Sequence, residues 1–271
     1  MKIYHYTSID ALAMILSTCS IKFNRLDWVD DLEESVESNN VHLGQYVFVS
    51  CWTEEKEESI PLWKMYSGSN HGIRIALDLT MFEDNVSRDI TLPNGLQATN
   101  CYFAGITDAN DPYKSYYVLP GITLNNKWFY SHVEYVHDIK EKTKDAYQLA
   151  VGKNNQANVN IAFGEVGKYK NERWQFQKES RFRLIILPVN ISNCNSEEVG
   201  TLVLNAIHQS KPVPLKEYFL SLRQEVLDSI EVTLHPNSSD SDRIIVEALC
   251  SKYAKNAAIC DSCLRGKVNI K

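Results

Sequence analysis

The sequence contains little glycine or proline, no long apolar run and none of the common nucleotide-binding or hydrolase signatures. Eleven Gly and eight Pro in 271 residues exclude a collagen-like or low-complexity chain. No apolar stretch approaches the ~20 residues of a membrane helix, so no membrane partner is expected. The patterns G-x-x-x-x-G-K-[ST], G-x-G-x-x-G, G-x-S-x-G and H-E-x-x-H do not occur, which argues against nucleoside triphosphatases and the usual metal hydrolases.

The seven cysteines are scattered along the chain, and their number is odd. This usage indicates reduced thiols in a cytosol rather than a disulfide framework, and the start of the chain shows no secretory leader. The sequence therefore predicts a cytoplasmic protein. One C-x-x-C pair, Cys260 and Cys263, lacks the two further ligands of a structural zinc site. We interpret it as packing and expect no metal site.

The charge balance is mildly acidic, because 28 Lys and Arg face 34 Asp and Glu for a net charge of −6. This balance argues against broad nonspecific binding to nucleic acid or anionic membranes, but not against a local basic groove. The hydrophobic content of 44% is ordinary for a globular protein. We expect one domain over 1–271, in which 81–135 is an insertion or lid.

The spacing of apolar residues predicts the elements. Strands are expected over 2–6, 20–23, 46–52, 72–79, 181–187, 230–234 and 257–259, with further short strands inside 81–135. Helices are expected over 8–16, 59–67, 137–151, 156–173 and 239–253. This order has no regular βαβ alternation, so it predicts an α+β fold with mixed, mainly antiparallel sheets and flanking helices.

Two polar patterns lie near the start of the chain. His5 and Thr7 end the first predicted strand, where they can present hydrogen-bonding groups to a ligand; a histidine at the edge of the core is the alternative. The acidic run 30–34, which contains Asp30, Asp31, Glu33 and Glu34, is typical of a solvated surface or a helix N-terminus. Carboxylates this dense also suit Mg²⁺.

Two further patterns combine aromatic and charged side chains. Trp63 and Tyr66 lie on a short predicted helix before a small polar loop, and either ring suits stacking on a flat ligand; core packing of Trp63 and exposure of Tyr66 are the alternative. Gln177, Glu179 and Arg181 lead into a very apolar strand, whose alternation would place all three on one face. They form either an ion pair at the sheet end or a catalytic carboxylate with an adjacent amide and guanidinium.

Together these patterns resemble a widespread bacterial family of unknown function. That family opens with an aromatic residue, His or Lys, and Tyr, followed by a helix ending in Ile-Leu. It continues with an acidic loop, an L-W-x-x-Y segment and a K-x-x-x-W-x-x-E-x-E-x-R run. The matching segments here are 4–6 with 15–16, 30–34, 49–54, 62–72, 170–181 and 259–264. This chain departs from the pattern at Asp30 and Leu32, where Asn and Pro are usual, and at Gln177, which replaces the first Glu. A chemistry that needs one carboxylate, Glu179, fits these departures better than one that needs a pair.

The start of the chain, Tyr4-His5-x-Thr7 with its helix and short second strand, is also similar, more loosely, to ADP-ribosyltransferases of the toxin type. This resemblance implies an ADP-ribosyltransferase-like fold and NAD as a substrate. His5 and Thr7 would then hold the adenosine-side ribose, and Tyr66 or Trp63 would stack on nicotinamide. Glu179 would stabilise the oxocarbenium-like transition state. Arg181 would orient Glu179 or grip the pyrophosphate, with Gln177 beside them as a further NAD-binding residue.

Three functions therefore stay open at this stage. The first is an NAD-dependent ADP-ribosyltransferase-like enzyme, with His5, Tyr66 and Glu179 as catalytic residues. The resemblance implies work as a toxin or phage-defence effector on nucleic acid or protein, with an antitoxin as a partner. The second is a nuclease built on the acidic run, Glu179 and Arg181. The third is a non-catalytic ligand-binding module.

Overall fold

The computed structural model describes residues 1–35, 37–67, 71–82, 88–91, 97–102, 113–119, 121–122, 129–151, 157–190, 194 and 196–270. The α-helices span Ile9–Thr18 (α1), Ile60–Tyr66 (α2), Ile139–Thr143 (α3), Ser196–His208 (α4), Gln224–Asp228 (α5) and Asp240–Tyr253 (α6). Short 3-10 helices span Leu26–Trp28, Leu32–Glu34, Leu43–Tyr46, Phe163–Glu165 and Glu172–Gln177.

The strands of the first half span Lys2–Ser8 (β1), Ser20–Arg25 (β2), Glu37–Ser38 (β3), Val41–His42 (β4), Val47–Thr53 (β5), Gly72–Asp78 (β6), Arg88–Thr91 (β7), Gln97–Tyr102 (β8), Tyr117–Val118 (β9), Gly121–Ile122 (β10), Tyr130–His132 (β11) and Glu134–Val136 (β12). Those of the second half span Tyr147–Val151 (β13), Ala157–Ile161 (β14), Tyr169–Asn171 (β15), Glu179–Leu187 (β16), Glu217–Ser221 (β17), Glu231–Leu234 (β18) and Ala258–Cys260 (β19).

One large sheet organises the described residues. Its strand order is β11-β16-β5-β1-β6-β18-β19, with β2 joined to β5, β17 joined to β2 and β9 joined to β16. Most pairs are antiparallel, whereas β18–β19 and β12–β15 are parallel. The predicted α+β fold with mixed, mainly antiparallel sheets and flanking helices is therefore confirmed.

The central strands form where β-branched and aromatic residues are dense. β5 and β16 pair in antiparallel register, with Glu179 opposite Thr53 and Ile185 opposite Val47, and nearly all their side chains are buried. A strand that is covered on both faces reads as a continuous apolar run rather than as an alternation. This explains why 46–52 and 181–187 were recognisable as strands in the sequence.

Helix caps follow the sequence signals. Ser8 caps α1 by accepting a hydrogen bond from the backbone N–H of Ala11. Ser239 caps α6 in a reciprocal capping box with Asp242. In both cases a short polar side chain satisfies an N–H that the first turn of the helix leaves without a partner.

The two helices predicted over 137–151 and 156–173 are wrong. Among the described residues of these ranges only Ile139–Thr143 is α-helical, and β13 pairs with β14 in antiparallel register from Tyr147 opposite Ile161 to Val151 opposite Ala157. Apolar residues recur at every second position in β13 and β14, which is the period of a strand. Their β-branched members also lose rotamer freedom in a helix. The predicted break at 154–155 lies outside the described residues.

The segment 81–135 contributes several side chains to the core. Phe82, Phe129 and Phe182 form a buried aromatic cluster, with ring centroids 5.0–5.8 Å apart. Tyr117 and Val118 pair with the end of β16. The one-domain boundary and the insertion or lid role of this segment stay predictions. No helix within the described residues has the length and apolarity that crossing a membrane requires.

Candidate active site

A fork in the large sheet creates the cavity in which the candidate residues meet. β5 pairs with β1 at one end, where Thr53 faces Tyr4, and with β2 at the other, where Val49 faces Asn24. Positions 50–52 of β5 pair with β16, but the described residues provide no strand on their other side. A cavity of about 650 Å³ lies at this fork, lined by β1, β2, β5, α1, α2 and the start of β16. Its volume is typical of small-molecule sites.

His5 lies at the point where the fork opens. Its Nδ1 is 2.8 Å from the Cys51 carbonyl oxygen, and its ring centroid is 5.1 Å from that of Trp52. Because a carbonyl can only accept, Nδ1 donates this hydrogen bond. Burial lowers the pKa of His5 below its ordinary value of 6.5, so the ring is neutral at pH 7. Nε2 is therefore left as a hydrogen-bond acceptor for a ligand hydroxyl.

Glu179 belongs to a closed ring of four buried charges. Its Oε1 accepts a hydrogen bond from Arg181 Nε, and its Oε2 lies 3.0 Å from Lys170 Nζ. Arg181 also donates to both oxygens of Glu34, and Lys170 Nζ lies 3.3 Å from Glu34 Oε1. Two carboxylates thus balance two cations, which is the condition under which buried charges are tolerated.

The cations keep Glu179 ionised despite its burial. Burial by itself would raise the pKa of Glu179, but Arg181 and Lys170 outweigh this effect and lower the pKa to about 2. The neighbouring Cys51 thiol behaves differently: burial raises its pKa, and the charge of Glu179 raises it further. The site therefore contains a fixed carboxylate beside a protonated thiol at neutral pH.

A tight turn places Glu179 at the cavity. The 3-10 helix Glu172–Gln177 ends at Lys178, whose φ of 44° is left-handed, and β16 begins at the next residue. The backbone N–H of Glu179 donates to the hydroxyl of Tyr135 at 2.8 Å. Since Gln177 lies on the 3-10 helix, the prediction that one strand face carries Gln177, Glu179 and Arg181 is wrong for Gln177. It still lines the same cavity.

Tyr66 and Gln177 meet on the cavity wall. Gln177 Nε2 donates to the Tyr66 hydroxyl at 2.8 Å, and the buried Gln177 Oε1 has no hydrogen-bond partner. Burial raises the pKa of Tyr66 well above its ordinary value, so its hydroxyl stays protonated. A buried acceptor without a donor is costly, so the contact with Tyr66 satisfies only one end of the Gln177 amide.

Trp63 does not line the cavity. Its side chain is fully buried against Tyr6 and His235, with edge-on ring contacts at 4.9 and 5.2 Å, and its Nε1 donates to Glu58 at 2.9 Å. Trp63 therefore anchors α2, the helix that presents Tyr66. The predicted stacking position beside nicotinamide fits Tyr66 and not Trp63.

Gly72 permits the close approach of β6 to the end of α2. A Cβ atom at Gly72 would lie 1.9 Å from the Cβ of Ser67, closer than two carbon atoms can come without bonding. Ser67 caps α2 through its backbone N–H to the Trp63 carbonyl. Glycine at this position of the L-W-x-x-Y segment thus has a packing reason. The polar loop predicted over 68–70 lies outside the described residues.

The acidic run is not a uniformly solvated surface. Asp31 caps the 3-10 helix Leu32–Glu34 by accepting from the Glu33 N–H at 3.0 Å, as the helix N-terminus interpretation anticipated. Glu34, in contrast, is fully buried against Arg181 and Lys170. The sequence suggested for this run a solvated surface, a helix N-terminus or an Mg²⁺ site, but not the ion pairs of Glu34, because its partners lie far along the chain.

Six of the seven sequence-predicted residues come together. The cavity wall includes His5, Thr7, Tyr66, Gln177, Glu179 and Arg181. Lys170 and Cys51 join them without having been singled out as site residues. The signal for Lys170 was present, since it opens the K-x-x-x-W run, but no local pattern shows that its ammonium reaches Glu179.

The described residues include no group of three or more His, Cys, Asp or Glu side chains arranged to hold a metal ion. The packing interpretation of Cys260 and Cys263 is wrong, because both cysteines are exposed. The backbone N–H of Cys263 donates to Glu58 at 2.7 Å, so this turn helps to hold the carboxylate that anchors Trp63.

Comparison of the chain with known proteins gives no match to a protein-family model, to a curated protein or to a solved structure.

Proposed function

We propose that the protein binds NAD in this cavity, releases nicotinamide and transfers ADP-ribose to a nucleic acid or protein acceptor. The observation that carries this proposal is the convergence of His5, Tyr66 and Glu179 on the wall of one cavity. A role as a toxin or phage-defence effector in the cytoplasm, with an antitoxin as partner, is part of the proposal through the resemblance alone.

Glu179 has the properties that the reaction requires. The N-glycosidic bond between C1′ of the ribose and the nicotinamide nitrogen breaks, and the bonding electron pair neutralises the positive pyridinium ring. Positive charge develops on the ribose, where a fixed carboxylate stabilises it. The acceptor's lone pair then forms the new bond to C1′, and its proton leaves to solvent. Glu179 supplies that carboxylate because its pKa lies near 2.

Arg181 is suited to orienting Glu179 rather than to gripping a pyrophosphate. Its guanidinium is almost completely buried and donates to Glu179, Glu34 and the Gly167 carbonyl oxygen. A group with its donors committed in this way has no open face for a phosphate. Of the two roles that the resemblance implies for Arg181, the structure favours the first.

His5 and Tyr66 provide the remaining contacts. Nε2 of the neutral His5 ring can accept a hydrogen bond from a ribose hydroxyl, while Nδ1 holds the ring on the Cys51 carbonyl. Tyr66 presents an aromatic ring to the cavity beside Glu179 and Gln177. Stacking on nicotinamide is then available near the bond that breaks.

The direct test measures NAD binding by calorimetry and nicotinamide release by chromatography. We expect saturable binding by the wild type, loss of binding in His5→Ala, and nicotinamide release reduced about a hundredfold or more in Glu179→Gln with binding retained, since a lost electrostatic contact to a transition state costs this much. Glu57→Gln, an exposed carboxylate outside the cavity lining, serves as the control and should behave as the wild type.

Absence of NAD binding by the folded wild type at millimolar concentration would overturn the proposal. The nuclease and the non-catalytic binding module would then be tested instead, the first with labelled single-stranded and double-stranded nucleic acid. Circular dichroism on each variant separates a lost site from a lost fold.

A further inference from the structure

Three large apolar side chains on the cavity wall are exposed to solvent. Trp28 is 56% exposed and Phe219 is 46% exposed, and Met14 is also exposed. All three line the same cavity as Glu179. Exposed apolar side chains that are grouped on one cavity wall mark a binding site, whereas single exposed ones normally scatter over the surface.

Sheet register places a cation beside one of these rings. Phe219 of β17 lies directly opposite Lys22 of β2, and opposite residues of an antiparallel pair present their side chains on the same face. Lys22 also lines the cavity. Its ammonium is 3.7 Å from Glu217 Oε2, and both side chains are about half exposed. Such a surface pair contributes little energy, so a phosphate can replace the carboxylate.

Lys22 differs from the other cations of the cavity wall. Lys170 and Arg181 are buried and committed to Glu34 and Glu179. Among the described residues that line the cavity, this leaves Lys22 as the cation with an exposed ammonium and a weakly held partner. A ligand phosphate entering the cavity therefore meets Lys22 more readily than the two buried cations.

Lys22 and His5 line the same cavity. Burial is the main cause of the lowered pKa of His5, and the positive charge of Lys22 adds to it. A ligand that fills the cavity would therefore contact the exposed ammonium as well as the imidazole.

Trp28 lines the same cavity as Phe219, and its ring is held by a neighbouring cation. Lys216 Nζ lies 4.2 Å from the centroid of its indole ring, a cation–π contact that holds the ring in place. An ordered ring loses less freedom when a base stacks against it, so more of the stacking energy remains as affinity.

We propose that Lys22 and Phe219, with Trp28 beside them, form the subsite for the adenosine diphosphate half of NAD. Lys22 pairs with the pyrophosphate, and the ring of Phe219 stacks on the adenine. This inference rests on the proposed function. It assigns the nicotinamide half of the dinucleotide to Tyr66 and Glu179, and the adenosine diphosphate half to Lys22 and Phe219. It also accounts for the pyrophosphate contact that Arg181 is too enclosed to make.

The test compares NAD, ADP-ribose and nicotinamide mononucleotide as ligands of the full chain by calorimetry. We expect Phe219→Ala to weaken NAD and ADP-ribose about tenfold, since stacking on a base is worth this much or more, and to leave nicotinamide mononucleotide unchanged. Lys22→Ala should weaken the first two ligands and reduce the dependence of their affinity on salt. The matched controls are Tyr113→Ala and Lys140→Ala, which change exposed side chains away from the cavity.

The outcomes separate this inference from the proposed function. If the wild type binds NAD and releases nicotinamide, but Phe219→Ala and Lys22→Ala bind NAD and ADP-ribose as the wild type does, the subsite is wrong and the function stands. If Phe219→Ala changes only the KM for a nucleic acid acceptor, the surface at Phe219 is an acceptor site and the inference is likewise overturned. If the wild type binds neither NAD nor ADP-ribose, both proposals fail. Because both side chains are exposed, loss of folding is not expected and is checked by circular dichroism.

Discussion

Arg181 donates to both carboxylate oxygens of Glu34, although 147 residues separate them in the chain. One partner lies in β16 and the other in a short 3-10 helix of the acidic run. Both side chains are almost completely buried, so the pair joins two distant segments behind the cavity. Through Arg181, Glu34 also contributes to the position of Glu179.

Removal of the Glu34 charge should destabilise the fold strongly. Glu34→Gln leaves Arg181 and Lys170 with one carboxylate between them, and an unbalanced buried charge costs about 3–5 kcal/mol. Urea denaturation would measure the free energy of unfolding. The control is Glu55→Gln, which breaks an exposed pair with Lys178 and should cost at most about 1 kcal/mol. Equal losses in the two variants would contradict a structural role for Glu34.

Glu179 should make the stability of the protein depend on acid pH. Its pKa falls from 4.5 to about 2 on folding, so the folded state holds this proton less readily than the unfolded state does. The stabilisation is present above pH 4.5 and is lost as the pH falls towards 2. Glu179→Gln should therefore show a shallower decline in unfolding free energy over this window. If the unfolding free energies of the wild type and of Glu179→Gln declined in parallel with falling pH, the pKa of Glu179 would not be the cause of the decline.

NAD binding should require the neutral form of His5. Since burial holds the pKa of His5 below 6.5, affinity should stay constant above that pH and weaken below it, as protonation removes the Nε2 acceptor. His5→Asn retains a donor for the Cys51 carbonyl but has no atom at Nε2. We expect it to keep the melting temperature and to lose affinity about tenfold, the value of one hydrogen bond to a ligand. Wild-type affinity in His5→Asn would rule out the Nε2 contact.

Substitutions at Tyr66 and Trp63 should affect different properties: the KM for NAD at Tyr66 and the stability of the fold at Trp63. Tyr66→Ala removes a ring from the cavity wall and should raise the KM for NAD, whereas Tyr66→Phe keeps the ring and should leave the KM close to that of the wild type. Trp63→Phe leaves Glu58 without its indole partner, which should cost about 1–3 kcal/mol of stability without a change in KM. The reverse pattern, with the KM following Trp63, would indicate that the nicotinamide contact is misassigned.

Local patterns were sufficient for the elements that build the core of the sheet. β1, β5, β6 and β16 combine dense β-branched and aromatic residues with clear boundaries, so tertiary contacts reinforce the local preference. Local patterns were insufficient over 137–173, because the strands there have only three to five residues and their alternation is too short to stand out. The helix Ser196–His208 and the strand Glu217–Ser221 were not anticipated. In β17, the exposed Phe219 weakens the alternation of buried and exposed residues that would have identified it.

The sequence by itself determined the strand cores, the helix caps and the residue types that carry chemistry, because these depend on neighbours within a few positions. His5 was recognisable from a motif of four residues, and Tyr66 and Glu179 from motifs of about a dozen. Tertiary structure decided which of them share a cavity, that Trp63 does not, and that Arg181 and Lys170 hold Glu179 while Glu34 pairs with both cations. Those facts depend on strand order and register, which bring together distant segments of the chain, such as Glu34 and Arg181, 147 residues apart. Long-range pairing of this kind has no local signature, since its energy comes from contacts that exist only once the sheet has formed.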